Sequence, residues 1–130
     1  MGHRAIHTDN APGALGPYSQ ATEIESGAGR LIFLSGQIPI DPSTGDVIDG
    51  PIADQVHRVM ANLAAVLAAA GSGFDRVVKT TIFLVDMGDF AEVNAAYGEY
   101  FGDVPPARAT VEVARLPKDV RVEIDAVATA

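Results

Sequence analysis

The run Val77-Val78-Lys79-Thr80-Thr81-Ile82-Phe83-Leu84-Val85 decides the fold class. Its β-branched and aromatic residues favour an extended strand. The apolar stretch at its end is typical of a strand covered on both faces, as in the middle of a sheet. Segments with helical periodicity lie on both sides of this run. The sequence therefore predicts an α+β layer sandwich, in which helices pack on a sheet.

The first predicted helix precedes this strand and begins at Pro51, because proline suits the first helical position. Gly71 ends it, where a positive φ is wanted. The second helix is predicted to start near Asp89, with Glu92 as its capping-box partner, and to end before Pro105-Pro106. Apolar residues with helical spacing form two predicted buried stripes: Ile52, Val56, Val59, Leu63, Val66, Leu67 and Ala70 in the first helix, and Phe90, Val93, Tyr97 and Phe101 around the second.

Four more strands complete the predicted architecture. Residues 18–24 and 30–35 form a hairpin around a glycine-bearing connection, and two strands cover about 107–114 and 120–129. The order is β-β-α-β-α-β-β, with two helices packed on one face of a mixed sheet. The second and third strands are apolar on both faces. We therefore expect a symmetric oligomer to cover the face that the helices leave open.

Composition limits the classes of function. The 130-residue chain carries 9 Lys+Arg and 17 Asp+Glu, so its net charge is 9 − 17 = −8, which disfavours nucleic-acid binding. No cysteine is present, which excludes disulfides, thiolate nucleophiles and cysteine-bound metals. The sequence has no apolar signal core and no run long enough to span a bilayer. We expect a cytoplasmic protein that does not enter a membrane.

The ionisable residues of the last two strands are the candidates for chemistry. An arginine fork matches a carboxylate in two hydrogen bonds, and a carboxylate can hold or deprotonate a water. If the apolar residues of both strands face the helices, Arg108 and Glu123 lie together on the opposite face. The residues alone leave two alternatives open: a surface ion pair for Arg108 and a solvated carboxylate for Glu123.

Other catalytic classes find little support in the sequence. His7 and His57 are isolated, so no metal site is expected. Ser19, Ser35 and Thr80 lack an obvious histidine partner for hydrolase chemistry. No glycine cluster follows a strand and opens a helix in the manner of a nucleotide-binding loop.

Five stretches together resemble the RidA (YjgF-type) imine/enamine deaminase family over nearly the whole chain. They are Gly16-Pro17-Tyr18-Ser19-Gln20, Ser35-Gly36-Gln37-Ile38-Pro39, Val78 to Leu84, Pro106 to Pro117, and Val122-Glu123-Ile124. The resemblance implies one RidA-like domain over 1–130 with a chorismate-mutase-like α+β fold, assembled as a homotrimer with sites at subunit clefts. It also implies a hydrolase similar to 2-iminobutanoate/2-iminopropanoate deaminases. Such enzymes convert enamines and imines of the 2-aminoacrylate type to 2-keto acids and ammonia without a cofactor.

The same resemblance suggests roles for individual residues. Arg108 matches the arginine that binds the substrate carboxylate, and Glu123 matches the glutamate that positions the attacking water. Thr110 falls where many members have cysteine, and the backbone there contacts the substrate nitrogen. Pocket residues of the family match Tyr18, Ser35 and Asn94.

The sequence is compatible with two other functions. One is a sensor that binds a small 2-keto acid, and the other is a chaperone-like or RNA-directed interaction protein. The same arginine fork would serve the sensor, whereas the net charge of −8 disfavours RNA.

Overall fold

The computed structural model describes residues 2–130, and within them the chain forms one six-stranded sheet and two α-helices. The predicted order is confirmed with one addition, since a short strand precedes the hairpin. A strand of three residues is too short to give an alternating pattern that sequence could show. The elements are β1 (Arg4–Ile6), β2 (Ala21–Ser26), β3 (Gly29–Gln37), α1 (Ile52–Ala69), β4 (Val77–Leu84), α2 (Phe90–Gly98), β5 (Ala107–Glu112) and β6 (Val122–Thr129).

The sheet is mixed, with the strand order β1-β2-β3-β6-β4-β5. All neighbours are antiparallel except β4 and β5, which run parallel, as the α2 crossover between them requires. The last strand of the chain, β6, inserts between β3 and β4 in the centre. Strand β5 forms one edge of the sheet.

Helix α1 follows the sequence prediction closely. It begins directly after Pro51, and every residue of its predicted stripe is buried. The helix ends at Ala69, and Gly71, two residues further on, has a φ of 74° in the left-handed region. The Ser72 amide donates to the Leu67 carbonyl at 2.8 Å, and the Arg30 side chain donates to the Ala70 carbonyl at 3.0 Å. These bonds satisfy carbonyls that a helix end leaves without partners.

The start of helix α2 differs from the prediction. Residues 87–89 form a 3₁₀ turn ahead of it, so Asp89 already has helical backbone angles and its side chain makes no capping bond. The carboxylate of Asp86 caps this turn by accepting from the Gly88 amide at 2.8 Å. Asp89 instead accepts from the Arg121 side chain at 3.0 Å. The predicted capping box of Asp89 and Glu92 is therefore wrong.

Both helices pack on one face of the sheet, which confirms the predicted layering. On this helix face, alternate residues of the strands are buried, including Ile32 and Leu34 of β3, Ile82 and Leu84 of β4, and Val122 and Ile124 of β6. Burying one side chain of this size contributes about 1.5–3 kcal/mol. The hydrophobic core therefore lies between the central strands and the two helices.

The opposite face of the sheet, the open face, is also partly apolar. It carries the other alternate residues of the same strands. Phe33 of β3 remains 44% exposed and Val111 of β5 remains 41% exposed. Isolated exposed apolar residues are common, but a sheet face that carries several is typical of an interface. Within residues 2–130, no helix is long and apolar enough to cross a membrane.

Candidate active site

A small cavity opens beside Glu123 where the end of β3 meets the segment that precedes β2. Its volume is about 140 Å³, and most of its walls are apolar. Among its lining residues, only Glu123 is a carboxylic acid. We call it the carboxyl pocket, and its lining consists of Pro12, Gly13, Leu15, Tyr18, Gly36, Gln37, Ile38, Ile40, Pro117 and Glu123.

Glu123 projects from β6 onto the open face, as the sequence predicted. Its carboxyl group lies against the backbone of Gly36, where the register of β3 shifts between Leu34 and Gln37. A Cβ atom at position 36 would lie 2.8 Å from Cδ and 3.0 Å from Cγ of Glu123, closer than real atoms pack. Only glycine therefore admits the carboxyl group in this position. Sequence reasoning missed this role, although an isolated glycine inside a strand signals a bulge or a close approach.

The surroundings of Glu123 change its acidity. Burial raises the pKa of its carboxyl group, and the negative charge of Asp125, two residues along the same face, raises it further. Both effects disfavour the charged form. A carboxyl with a raised pKa can accept and return a proton nearer to neutral pH than an ordinary one.

Tyr18 and Ser35 have different partners in this region. The Tyr18 hydroxyl oxygen accepts from the Leu15 amide at 3.0 Å, which leaves the phenol proton for another acceptor. Tyr18 lines the carboxyl pocket, whereas Ser35 does not. The Ser35 hydroxyl donates to the Ser19 carbonyl at 2.6 Å and so ties β3 to the segment before β2. The structure thus brings Tyr18 and Glu123 together in one pocket, whereas Ser35 bonds to the residue that follows Tyr18.

Arg108 lies on the helix face of the sheet, so the prediction that it shares a face with Glu123 is wrong. In the parallel pairing of β4 and β5, Arg108 is the partner of Thr80, which is buried under α2. The Arg108 Nη1 group donates to Asn94 Oδ1 at 2.7 Å. Its guanidinium carbon lies 5.2 Å from the centre of the Tyr97 ring and 5.7 Å from that of Phe90.

We call this second cluster the arginine site, formed by Arg108, Asn94, Tyr97 and Phe90. Cation–π contacts and one hydrogen bond hold the guanidinium in place. An arginine has five N–H donors, and only one of them bonds to a protein acceptor within residues 2–130. Because Arg108 is exposed, its remaining donors are open to a ligand. The site is therefore suited to bind a carboxylate by charge and by geometry.

Thr110 follows Arg108 on the same face and pairs with Ile82. Its hydroxyl oxygen is buried and has no hydrogen-bond partner in the part of the chain that the structure describes. Such a group ordinarily finds a partner, since leaving it without one is costly. Within the described residues, the Thr110 hydroxyl therefore makes no hydrogen bond that could stabilise the fold.

The two clusters are separated by the sheet itself. Arg108 and Glu123 point to opposite faces, and β4 lies between their strands, which separates them by roughly 10 Å across the sheet. Arg108 is level with Ala126 through Thr80, and Glu123 lies three residues before Ala126 in β6. A small substrate cannot contact both side chains of one chain.

Comparison with known proteins places the chain and its fold in a family. Residues 8–130 match the family model described as Endoribonuclease L-PSP. Protein DfrA of Myxococcus xanthus is 57% identical over 128 residues, which cover 98% of this chain and 96% of that protein. The human 2-iminobutanoate/2-iminopropanoate deaminase is 48% identical over 125 residues, or 96% of this chain and 88% of the relative. The chain belongs to the RidA (YjgF-type) family.

Solved structures agree with this RidA-family assignment. The crystal structure of E. coli TdcF with bound serine matches with a TM-score of 0.88 and 40% identity, covering 98% of each chain. The RidA-family fold therefore confirms the chorismate-mutase-like α+β layering predicted from sequence. Among residues 2–130 of this RidA-family chain, no three His, Asp or Glu side chains lie close enough together to hold a metal ion.

Proposed function

We propose that this chain hydrolyses reactive enamines and imines derived from amino acids, of the 2-aminoacrylate type, to 2-keto acids and ammonia. The observation that carries the proposal is the Glu123 carboxyl group, which lies in an apolar pocket against bare backbone and has a raised pKa. The 48% identity to a human protein named as an imine deaminase supports the same chemistry.

The reaction needs only water and a group that exchanges protons. An enamine takes a proton from solvent on its β-carbon, and an imine takes one on nitrogen, so both give a protonated imine. Its carbon is electrophilic, and a positioned water can attack it directly. Glu123 takes a proton from that water as the new C–O bond forms, which gives a carbinolamine. The carboxyl then returns the proton to nitrogen, and the C–N bond breaks with its electron pair going to ammonia. The hydroxyl passes its proton to the Glu123 carboxylate as the C=O bond of the keto acid forms. A carboxyl with a raised pKa suits these transfers, and no step requires a cofactor.

Substrate binding is assigned to the arginine site. The free N–H groups of Arg108 donate to the substrate carboxylate in a two-point contact, and Asn94 holds the guanidinium in place for it. The Thr110 backbone lies one strand period further on and is proposed to contact the substrate nitrogen. A relative crystallised with serine, an amino acid that carries a carboxylate, supports this assignment.

Because the two clusters lie on opposite faces, we propose that each complete site combines two copies of the chain. Arg108, Asn94 and Thr110 come from one copy, and Glu123, Tyr18 and Ser35 come from its neighbour. The partly exposed apolar side chains of the open face, such as Phe33, give the copies a surface to share. A closed ring of three copies satisfies this arrangement with identical contacts. This homotrimer forms from one RidA-like domain over 1–130, and we place it in the cytoplasm.

A coupled assay tests the proposal. A serine or threonine dehydratase generates 2-aminoacrylate, and the protein is expected to accelerate the appearance of pyruvate. Arg108→Ala and Glu123→Gln should each lower this acceleration by about 10²-fold or more. Arg115→Ala and Glu25→Gln are matched controls, since both residues are exposed and lie outside the two clusters. Wild-type protein that leaves the rate of pyruvate formation unchanged would refute the proposal.

A second candidate is a sensor for small carboxylic acids, and the serine bound to TdcF favours it. Calorimetry with pyruvate and the coupled assay together separate the two functions. A sensor binds pyruvate through Arg108 without accelerating its formation, whereas the enzyme does accelerate it. Neither function involves RNA, which the net charge of −8 disfavours.

A further inference from the structure

Two buried amide side chains, Gln20 and Asn62, hold the two loop segments that form most of the carboxyl pocket. Gln20 is 3% exposed and Asn62 is fully buried. Neither belongs to the catalytic clusters described above. Buried amides are expensive unless they are fully hydrogen-bonded, so their partners indicate what they do.

Gln20 fixes the segment before β2. Its amide nitrogen donates to the Thr8 and Pro12 carbonyls, both at 2.9 Å, and its oxygen accepts from the Thr8 amide at 2.7 Å. Pro12 lines the carboxyl pocket, and the same segment continues to Leu15 and Tyr18 on the same wall. One side chain thus fixes the backbone of a segment that itself forms neither helix nor strand.

Asn62 fixes the opposite wall. Its amide nitrogen donates to the carbonyls of Ile38 and Ile40 at 3.2 and 2.9 Å. Its oxygen accepts from Nε and Nη2 of Arg58 at 3.2 and 2.9 Å. Ile38 and Ile40 both line the pocket, whereas Asn62 itself reaches them from helix α1. Helix α1 therefore holds this wall of the pocket through hydrogen bonds from the Asn62 side chain to backbone carbonyls of the loop.

The pocket that these walls enclose is suited to an apolar group. An apolar cavity of about 150 Å³ in another protein binds benzene, and this one measures about 140 Å³. We propose that the carboxyl pocket receives an aliphatic substrate side chain of up to about six carbons, and that Gln20 and Asn62 are the positioning residues that set its width. This inference rests on the proposed deaminase function and adds a side-chain preference to it.

The test compares two imines that an amino-acid oxidase generates in situ, one from leucine and one from alanine. The measured quantity is the ratio of their kcat/KM values, which does not depend on the fraction of protein that is folded. Asn62→Ala removes the tether of Ile38 and Ile40, so the pocket loses contacts with the leucine-derived side chain. The methyl group of the alanine-derived imine is three carbons shorter, so it depends less on this wall. The leucine-to-alanine ratio should therefore fall roughly tenfold.

Gln20→Ala tests the opposite wall and should lower the same ratio, which keeps the proposal testable if Asn62→Ala does not fold. Arg58→Ala is the matched control, because it removes the bonds to the Asn62 oxygen and leaves those to the loop intact. Its ratio should stay at the wild-type value. An active wild type with unchanged ratios in both alanine variants would overturn this inference alone. A wild type that accelerates neither reaction would overturn the proposed function, and this inference with it.

Discussion

Arg108 and Glu123 lie on opposite faces of one sheet, with β4 between their strands. The guanidinium packs under α2 against Tyr97 and Phe90, and the carboxyl group packs against Gly36 on the other side. A substrate that carries its carboxylate and its imine carbon on adjacent atoms cannot reach both groups in one chain. This separation is the structural reason for assigning the complete site to two neighbouring copies.

The contact between Gly36 and Glu123 gives the first prediction. Gly36→Ala places a methyl group where the Glu123 carboxyl lies, so the carboxyl must move. We expect kcat in the coupled assay to fall about 10²-fold, as for loss of a general base, with the protein still folded by circular dichroism. Gly98→Ala is the matched control, because no atom lies within 4 Å of its added methyl group. Full activity of Gly36→Ala would show that the position of the carboxyl does not matter.

The raised pKa of Glu123 gives a prediction for stability against pH. Burial and the Asp125 charge make the folded chain hold this proton more tightly than the unfolded chain, whose carboxyl has the ordinary value of 4.5. The resulting stabilisation is fully present below that value and is lost as pH rises through the raised pKa. The Glu123→Gln side chain cannot titrate, so this variant does not lose stability through position 123 as the pH rises.

The Tm of Glu123→Gln minus that of the wild type should therefore be larger at about pH 8 than at about pH 4. Glu25→Gln, an exposed site with no proposed role, should give the same small difference at both pH values. A Glu123→Gln difference that does not change with pH, or that is larger in acid, would contradict this prediction.

Asn94 is predicted to act through Arg108. Asn94→Ala removes the oxygen that accepts from Nη1 at 2.7 Å, so the guanidinium loses its fixed orientation. Since the bond involves a charged donor, we expect KM to rise about tenfold and kcat to change less. Steady-state kinetics measure the changes in KM and kcat separately. Glu92→Ala, exposed on the same helix, is the control, and an unchanged KM for Asn94→Ala would remove Asn94 from the site.

For Thr110 we predict a substitution that lowers neither stability nor activity. Its buried hydroxyl has no partner within residues 2–130, so Thr110→Val removes an unsatisfied group at almost constant volume. We expect the free energy of unfolding to stay equal or rise by about 1 kcal/mol. Activity should be retained, because the proposed contact with the substrate is made by the backbone. A large loss of activity in a stable Thr110→Val protein would assign the hydroxyl itself to the site.

The sequence predicted those parts of the fold that rest on a strong periodic pattern. The buried stripe of α1 and the apolar strands β3 and β4 are examples, since each buries side chains at the spacing that its geometry imposes. The face of Arg108 was predicted wrongly because alternation divides residues 107–112 into two sets without saying which set faces the helices. That choice depends on the parallel register of β5 with β4, which pairs Arg108 with Thr80.

Contacts between distant segments escaped prediction for a related reason. Gly36 matters because Glu123 lies 87 positions later in the chain but adjacent in space, and the sequence shows only an isolated glycine in a strand. Gln20 and Asn62 act through backbone carbonyls, which have no sequence signal. A polar residue inside an otherwise buried helical segment, such as Asn62 next to Leu63, was the one available indication.

Mixing two inactive variants tests the central claim most directly, that each site combines Arg108 of one copy with Glu123 of another. Arg108→Ala and Glu123→Gln proteins are unfolded together in equal amounts, refolded, and assayed for pyruvate formation from 2-aminoacrylate, with sedimentation reporting the oligomer. The mixture should recover about a quarter of wild-type activity, because one interface in four then pairs an intact arginine with an intact glutamate. Each variant refolded alone should stay inactive. A mixture as inactive as its two components would contradict the shared site.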